Sequence, residues 1–271
     1  MAGRGGDMAF VSIGGYVLHW QEDGVPDGTA LVFANSLGTD FRIWDAMLPA
    51  FADRYRLIRY DKSGHGLSDL SPATHTLEGH VDDLLALLDH AGVSKAAVIG
   101  LSVGGLIAQG LALRVPERIS ALVLCDTACK IGSEAAWADR IAAVEKSGIA
   151  GIADMVLQRW FAASFRAERK TELAGWRNML VRSPVEGYLA TCAAIRDADY
   201  TLGVPTLRVR TLCVVGEEDG STPPSVVRAT ADLIPGSHFE IITGAGHMPP
   251  IEQPAVLAAL IARHIEEAGH A

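Results

Sequence analysis

No stretch of this 271-residue chain reaches the roughly 18 uninterrupted apolar residues of a membrane span. Its first residues, Met1-Ala2-Gly3-Arg4-Gly5-Gly6-Asp7, lack the apolar core of a signal peptide. No membrane association is expected, and the cytoplasm is the expected compartment. Basic residues are in deficit, and the formal net charge is −9. Such a surface disfavours nucleic acid and anionic membranes as partners. Cysteine is sparse: Cys125, Cys129, Cys192 and Cys213 sit mostly in apolar surroundings, so they are expected to be reduced and buried. Cys125 and Cys129 lie four apart, but no histidine or further cysteine stands near them to complete a zinc site. There is no internal repeat, and no low-complexity segment beyond the glycine-rich start.

What remains is an apolar chain, 49% hydrophobic and 20% charged, long enough for one large domain with a buried core and an insertion. It is organised around Gly100-Leu101-Ser102-Val103-Gly104. An apolar run, 96–99, precedes this G-x-S-x-G pattern, and an apolar stretch at helical spacing, 105–113, follows it. Strand, tight turn and helix are the setting of a nucleophile elbow. The glycines let the backbone turn sharply and approach its neighbours, while the helix N-terminus brings free N–H groups and a positive dipole end to Ser102.

The rest of the chain reads as strands alternating with helices. Residues 10–13 and 16–21 form a hairpin around Gly14-Gly15. Strands are expected at 29–34, 56–60, 96–99, 119–126, 210–216 and 238–242, and helices at 77–91, 223–234 and 250–268. This is an α/β pattern: a mostly parallel sheet of about eight strands with helices on both faces. Between 129 and 201 the strand rhythm stops, and helices are expected at 134–146, 149–165, 167–181 and 184–198. Ser183, Pro184 and Glu186 suggest a capping box on the last of them. The division is thus a core of 1–128 and 202–271 with a helical lid inserted at 129–201.

Acyl transfer needs a nucleophile, a base, a carboxylate that orients the base, and donors for the oxyanion. In hydrolases built on such a sheet the order is Ser, Asp or Glu, then His, each after a strand. Ser102 comes first. Asp219 lies in the loop after 210–216, where Glu217 and Glu218 compete for the same role, as does Asp232 further on. His247 lies in the glycine-rich loop after the last strand. Among the other histidines, His65 reads as a structural hydrogen-bonder in its glycine turn. His19, His75, His80, His90, His264 and His270 read as surface residues. The backbone N–H groups of Val103 and, by its position in the loop after 29–34, Leu37 are the expected oxyanion donors.

With these residues in view, the chain resembles the α/β-hydrolase family, and within it the 3-oxoadipate enol-lactonases. The elbow is generic to the superfamily. More telling are Asn35-Ser36-Leu37-Gly38, where most relatives carry His-Gly, and Asp126-Thr127-Ala128-Cys129-Lys130-Ile131-Gly132 followed by Trp137. Asp61-Lys62-Ser63-Gly64-His65-Gly66 departs from the wider superfamily at Ser63, where arginine is frequent. The resemblance implies a serine hydrolase that opens a small-molecule, carboxylate-bearing lactone, needing neither metal nor organic cofactor. The related alternatives are a carboxylesterase, a carbon–carbon bond hydrolase, a perhydrolase, or a ligand receptor on the same scaffold. A carboxylate substrate needs a partly buried cation or a set of donors. Trp137, Arg140, Ile141 and Val144 share one helix face. Trp137 and Arg140 are therefore candidate substrate contacts, together with the Asn35–Ser36 loop.

Overall fold

A computed structural model describes residues 8–269. Its centre is an eight-stranded sheet of β1 (Met8–Ile13), β2 (Tyr16–Gly24), β3 (Thr29–Ala34), β4 (Tyr55–Tyr60), β5 (Ala96–Leu101), β6 (Ile119–Cys125), β7 (Thr211–Gly216) and β8 (His238–Ile242). The spatial order is β1-β2-β4-β3-β5-β6-β7-β8. The β1–β2 hairpin joins β4 antiparallel, and every pairing from β4 to β8 is parallel. β5 and β7 are buried along their whole length, as continuous apolar runs covered on both faces must be.

Helices α1 (Leu77–His90), α2 (Val103–Arg114), α7 (Pro224–Leu233), α8 (Pro249–Glu252) and α9 (Pro254–Glu267) accompany the sheet. α2 is buried from Val103 to Ala112, so it is apolar on all sides rather than along one stripe. The α8–α9 break corrects the expected single helix over 250–268. Gln253 precedes Pro254, and the proline ring pushes it to φ −135°, ψ 54°.

Between β6 and β7 lie α3 (Glu134–Trp160), α4 (Ala163–Glu168), α5 (Lys170–Val181) and α6 (Val185–Asp197). The Tyr200 N–H donates to the Cys129 carbonyl at 2.8 Å, which pins together the two ends of this insertion. α3 is broken at Gly148, whose φ of 67° only glycine adopts freely. Its second half stops at Trp160, short of the expected 165, because the next backbone groups are engaged elsewhere. The Trp160 carbonyl accepts from the His247 N–H at 2.7 Å, and the Ala162 N–H donates to Glu252 Oε1 at 2.7 Å. The capping box on α6 does not form, since Ser183 Oγ turns back toward the Met179 carbonyl.

Three histidines expected at the surface are buried. His19 Nδ1 pairs with Asp61 at 2.7 Å, and its ring lies near Phe10 and Phe41. His80 sits beside Thr191 with its pKa pushed by burial down to about 3. His264 lies by the Arg210 carbonyl, lowered by burial to about 4. His75 and His90 are exposed as expected, and His270 lies outside the described residues. The four cysteines are free and buried. No helix among the described residues is long and apolar enough to cross a membrane.

Candidate active site

Ser102 occupies the turn between β5 and α2 at φ 57°, ψ −117°, a left-handed conformation that costs a non-glycine residue about 1–3 kcal/mol. The strain is held from three sides. The Ser102 N–H donates to the Cys125 carbonyl at 3.0 Å, its carbonyl accepts from Thr127 Oγ1 at 2.7 Å, and the flanking glycines permit close packing. A Cβ at Gly104 would stand 2.0 Å from the Ala34 carbonyl oxygen. Those glycines are therefore what let α2 lie against β3 and direct the serine outward.

His247 follows β8 and is buried, and its Nδ1 lies 2.8 Å from Asp219 Oδ2. The structure thus brings Asp219, rather than Glu217 or Glu218, to the imidazole. Asp219 is turned inward because its Oδ1 accepts from the N–H groups of Ser221 (2.7 Å) and Thr222 (3.0 Å). The two glutamates and Asp232 are exposed, and Glu218 caps the Ala163 N–H instead. Burial works to raise the Asp219 pKa, but the adjacent His247 and the donated hydrogen bonds outweigh it and hold the carboxyl below its ordinary value. An ionised Asp219 fixes the proton of His247 on Nδ1 and leaves Nε2 as a free base.

Sequence reasoning passed over two groups behind this pair. Asp126, at the end of β6 with φ 48°, accepts from the Gly216 N–H at 2.9 Å. Burial, and then the charge of Asp219, push its pKa well up, so it stays protonated and Asp219 carries the negative charge under the histidine. Thr222 Oγ1 lies 2.7 Å from both Asp219 Oδ2 and the Asp126 carbonyl oxygen. Ligand-type atoms of Asp126, Asp219 and His247 cluster within 4.8 Å. The His247 Nδ1 lone pair that a metal would need is replaced here by the proton given to Asp219. Glu252, also buried, accepts from the N–H groups of Gly246 (2.8 Å) and Ala162 (2.7 Å), tying the His247 loop to the helical insertion. Asp126 heads the stretch that carries the family resemblance, but nothing in that stretch marks a role beside Asp219, and Glu252 belongs to no motif.

A cavity of about 340 Å³ opens onto Ser102 and His247 and is lined also by Ser36, Leu37, Trp137, Arg140, Arg159 and Tyr188. Its size suits a small ligand. Among the described residues, the N–H groups of Leu37 and Val103 donate to no protein acceptor. That leaves both available for an oxyanion.

Trp137 and Arg140 reach the cavity as their shared helix face suggests. The indole N–H of Trp137 donates to the Ile131 carbonyl at 2.6 Å, and the Arg140 guanidinium lies 5.8 Å from the Trp137 ring centre. Arg140 Nη1 donates to Tyr188 Oη at 2.9 Å, and among the described residues no carboxylate pairs with the guanidinium. Asn35 is a correction. It does not line the cavity, because its amide nitrogen donates to the Thr39 carbonyl at 2.5 Å and holds the loop from behind. His65 does serve as a structural hydrogen-bonder, with Nε2 accepting from the Gly38 N–H at 3.0 Å.

The chain is 32% identical over 237 residues to 3-oxoadipate enol-lactonase 2 of Acinetobacter baylyi, covering 88% of each chain. Its backbone matches the crystal structure of the enol-lactonase from Burkholderia xenovorans LB400 with a TM-score of 0.92 at 32% identity, over 95% of this chain and 100% of that one. It is also 28% identical over 251 residues to strigolactone esterase D14 of Arabidopsis thaliana, covering 86% of this chain and 91% of that one. The model of the alpha/beta hydrolase family matches residues 31–260. The chain therefore belongs to the alpha/beta hydrolase family.

Proposed function

We propose that this hydrolase opens the lactone ring of 3-oxoadipate enol-lactone to give 3-oxoadipate, through an acyl-enzyme on Ser102. The observation that carries the reading is the cavity. It joins Ser102 and His247 to an arginine, Arg140, that no carboxylate neutralises among the described residues. The identity to enol-lactonases supports the choice of lactone. Four free, buried cysteines suit a reducing cytoplasm.

In this reading Ser102 Oγ attacks the lactone carbonyl as His247 Nε2 takes its proton. Asp219 stabilises the imidazolium, and the Leu37 and Val103 N–H groups hold the developing oxyanion. Collapse expels an enolate, a better leaving group than an alkoxide, which the imidazolium protonates. Tautomerisation of the tethered enol to the ketone removes the nucleophile that would reverse the step. Water, deprotonated by His247, then releases the acid. Trp137 walls the ring, and Arg140 meets the substrate's free carboxylate in bidentate fashion.

Arg140→Met tests the substrate assignment against the neutral ester expected of an ordinary esterase. The variant is expected to lose at least about tenfold in kcat/KM, about 1.4 kcal/mol, on the enol-lactone and little on a neutral ester of similar size. Equal losses on both would make Arg140 a packing residue of the insertion and remove the ground for a carboxylate-bearing substrate.

A further inference from the structure

Lys62 is 1% exposed, and among the described residues no carboxylate lies within ion-pairing distance of its ammonium. A buried cation without a counter-ion is expensive, so its surroundings must say what it is for. Its Nζ donates a short hydrogen bond to the carbonyl oxygen of Ser36, which also accepts from Thr39 Oγ1 at 2.8 Å. That carbonyl shares one peptide unit with the Leu37 N–H. The unit is planar and trans, so its C=O and N–H point in opposite directions. Fixing the carbonyl on Lys62 therefore aims the N–H away from the lysine. Leu37 lines the cavity that holds Ser102, and its N–H has no protein acceptor among the described residues. From the same turn as Lys62, His65 takes the Gly38 N–H. The turn after β4 thus grips two successive peptide units of the loop after β3.

We propose that Lys62 is a positioning residue for the oxyanion site: its buried charge orients and polarises the Ser36–Leu37 peptide, strengthening the Leu37 N–H as a donor to the tetrahedral intermediate. A cation on a carbonyl oxygen draws electron density from the amide nitrogen, and in a dry site that polarisation is little screened. The effect grows with charge on the substrate oxygen, so it acts on the transition state more than on the bound substrate. The inference rests on the serine-hydrolase reading above.

The charge is also poised to change. Burial lowers the Lys62 pKa to about 7, against the opposing influence of Asp61 and Asp40. Of the groups facing it, Asp61 is paired with His19 and Asp40 with Arg42, while His65 and His80 are driven toward the neutral form by burial and by Lys62 itself. The ammonium is present below that pKa and is lost as pH rises through it. Turnover is therefore expected to fall on the alkaline side as that charge is lost.

The test compares wild type, Lys62→Met and Lys62→Gln on freshly generated enol-lactone across pH, and measures inhibition by phenylboronic acid, whose tetrahedral serine adduct places an oxygen in the oxyanion site. Lys62→Met is expected to lower kcat about tenfold or more with KM within about twofold, and to weaken the boronate by a similar factor. Lys62→Gln, a neutral donor, is expected to recover only part of both. The wild-type fall in kcat near pH 7 should vanish in both variants. A folded Lys62→Met within about twofold of wild type, full recovery in Lys62→Gln, or an alkaline fall that persists in either variant would overturn the proposal. If Lys62→Met does not fold, the comparison rests on Lys62→Gln, whose kcat and boronate affinity at wild-type level would overturn the proposal. A Ser102→Ala variant that still turned over would instead remove the serine-hydrolase reading, so the two failures are distinct.

Discussion

Ser102→Ala should abolish turnover, by at least about 10³-fold in kcat, while the protein keeps its fold and its affinity for substrate. In the proposed mechanism the nucleophile is the one group in the cavity with no substitute. Ser36 and Ser221 also line it, but neither stands in an elbow ahead of a helix N-terminus. Removing the hydroxyl leaves the oxyanion donors and Arg140 in place, so binding survives and chemistry does not. Stability is expected to hold, because the change removes one hydroxyl and no packing, and the backbone strain at φ 57° stays with alanine. Parallel measurements of single-turnover acylation and of substrate binding to the variant check this. Retention of more than about a tenth of the wild-type rate would mean that Ser102 is not the nucleophile.

Asp219→Asn is expected to cost about 10³- to 10⁴-fold in kcat with little change in KM. The carboxylate accepts from His247 Nδ1 at 2.8 Å, and an amide nitrogen in its place would donate to that atom instead. The imidazole proton would then move to Nε2, where a base is needed. Asp126 cannot take over, because it is held protonated and its Oδ1 is committed to the Gly216 N–H. Glu217→Gln and Glu218→Gln should each stay within about threefold of wild type, since both side chains are exposed and neither reaches the histidine. Steady-state kinetics of the three variants distinguish the residues, and a damaging Glu218→Gln beside a mild Asp219→Asn would reverse the assignment.

What could be read from the sequence follows from how local each signal is. The elbow needs only a strand, two glycines and a helix in succession, and β5, Ser102 and α2 lie where that pattern put them. β3 and β8 also match their expected limits, being apolar runs or alternations bounded by turn residues. Asp219 was harder to separate from its neighbours. Three acids stand in a row, and only the turn through Ser221 and Thr222 decides which one points inward. The start of α3 at Glu134 and its break at Gly148 match the expected helices, but its C-terminal end was missed because the demand on it is remote: Trp160 gives its carbonyl to His247, and Ala162 gives its N–H to Glu252, 90 residues away. His19 and His80 looked like surface residues because what buries them is equally distant. Asp61 lies 42 positions from His19, and Thr191 lies 111 from His80. Lys62 was unreadable for the same reason, as a lysine in a polar turn is ordinarily solvated and its partner is a backbone carbonyl 26 positions earlier.

The division of labour is clear in physical terms. The sheet supplies the places after β3, β5, β7 and β8 where loops can carry polar groups to one edge. The helical insertion supplies part of the cavity wall, through Trp137, Arg140 and Trp160. Hydrogen bonds between the two, from His247 to Trp160 and from Ala162 to Glu252, make the position of His247 depend on the insertion. A family that varies the insertion while keeping the loops can change substrate without rebuilding the chemistry.

The most direct test of the central claim is hydrolysis of freshly generated 3-oxoadipate enol-lactone by the wild-type protein, measured beside a panel of simple neutral esters of similar size. A charged lactone with an enolate leaving group fits a cavity that joins Ser102 and His247 to Arg140. The expected result is a kcat/KM on the enol-lactone at least about a hundredfold above that on any ester, about 2.7 kcal/mol of added transition-state stabilisation. A neutral ester turned over as well as or better than the enol-lactone would contradict it.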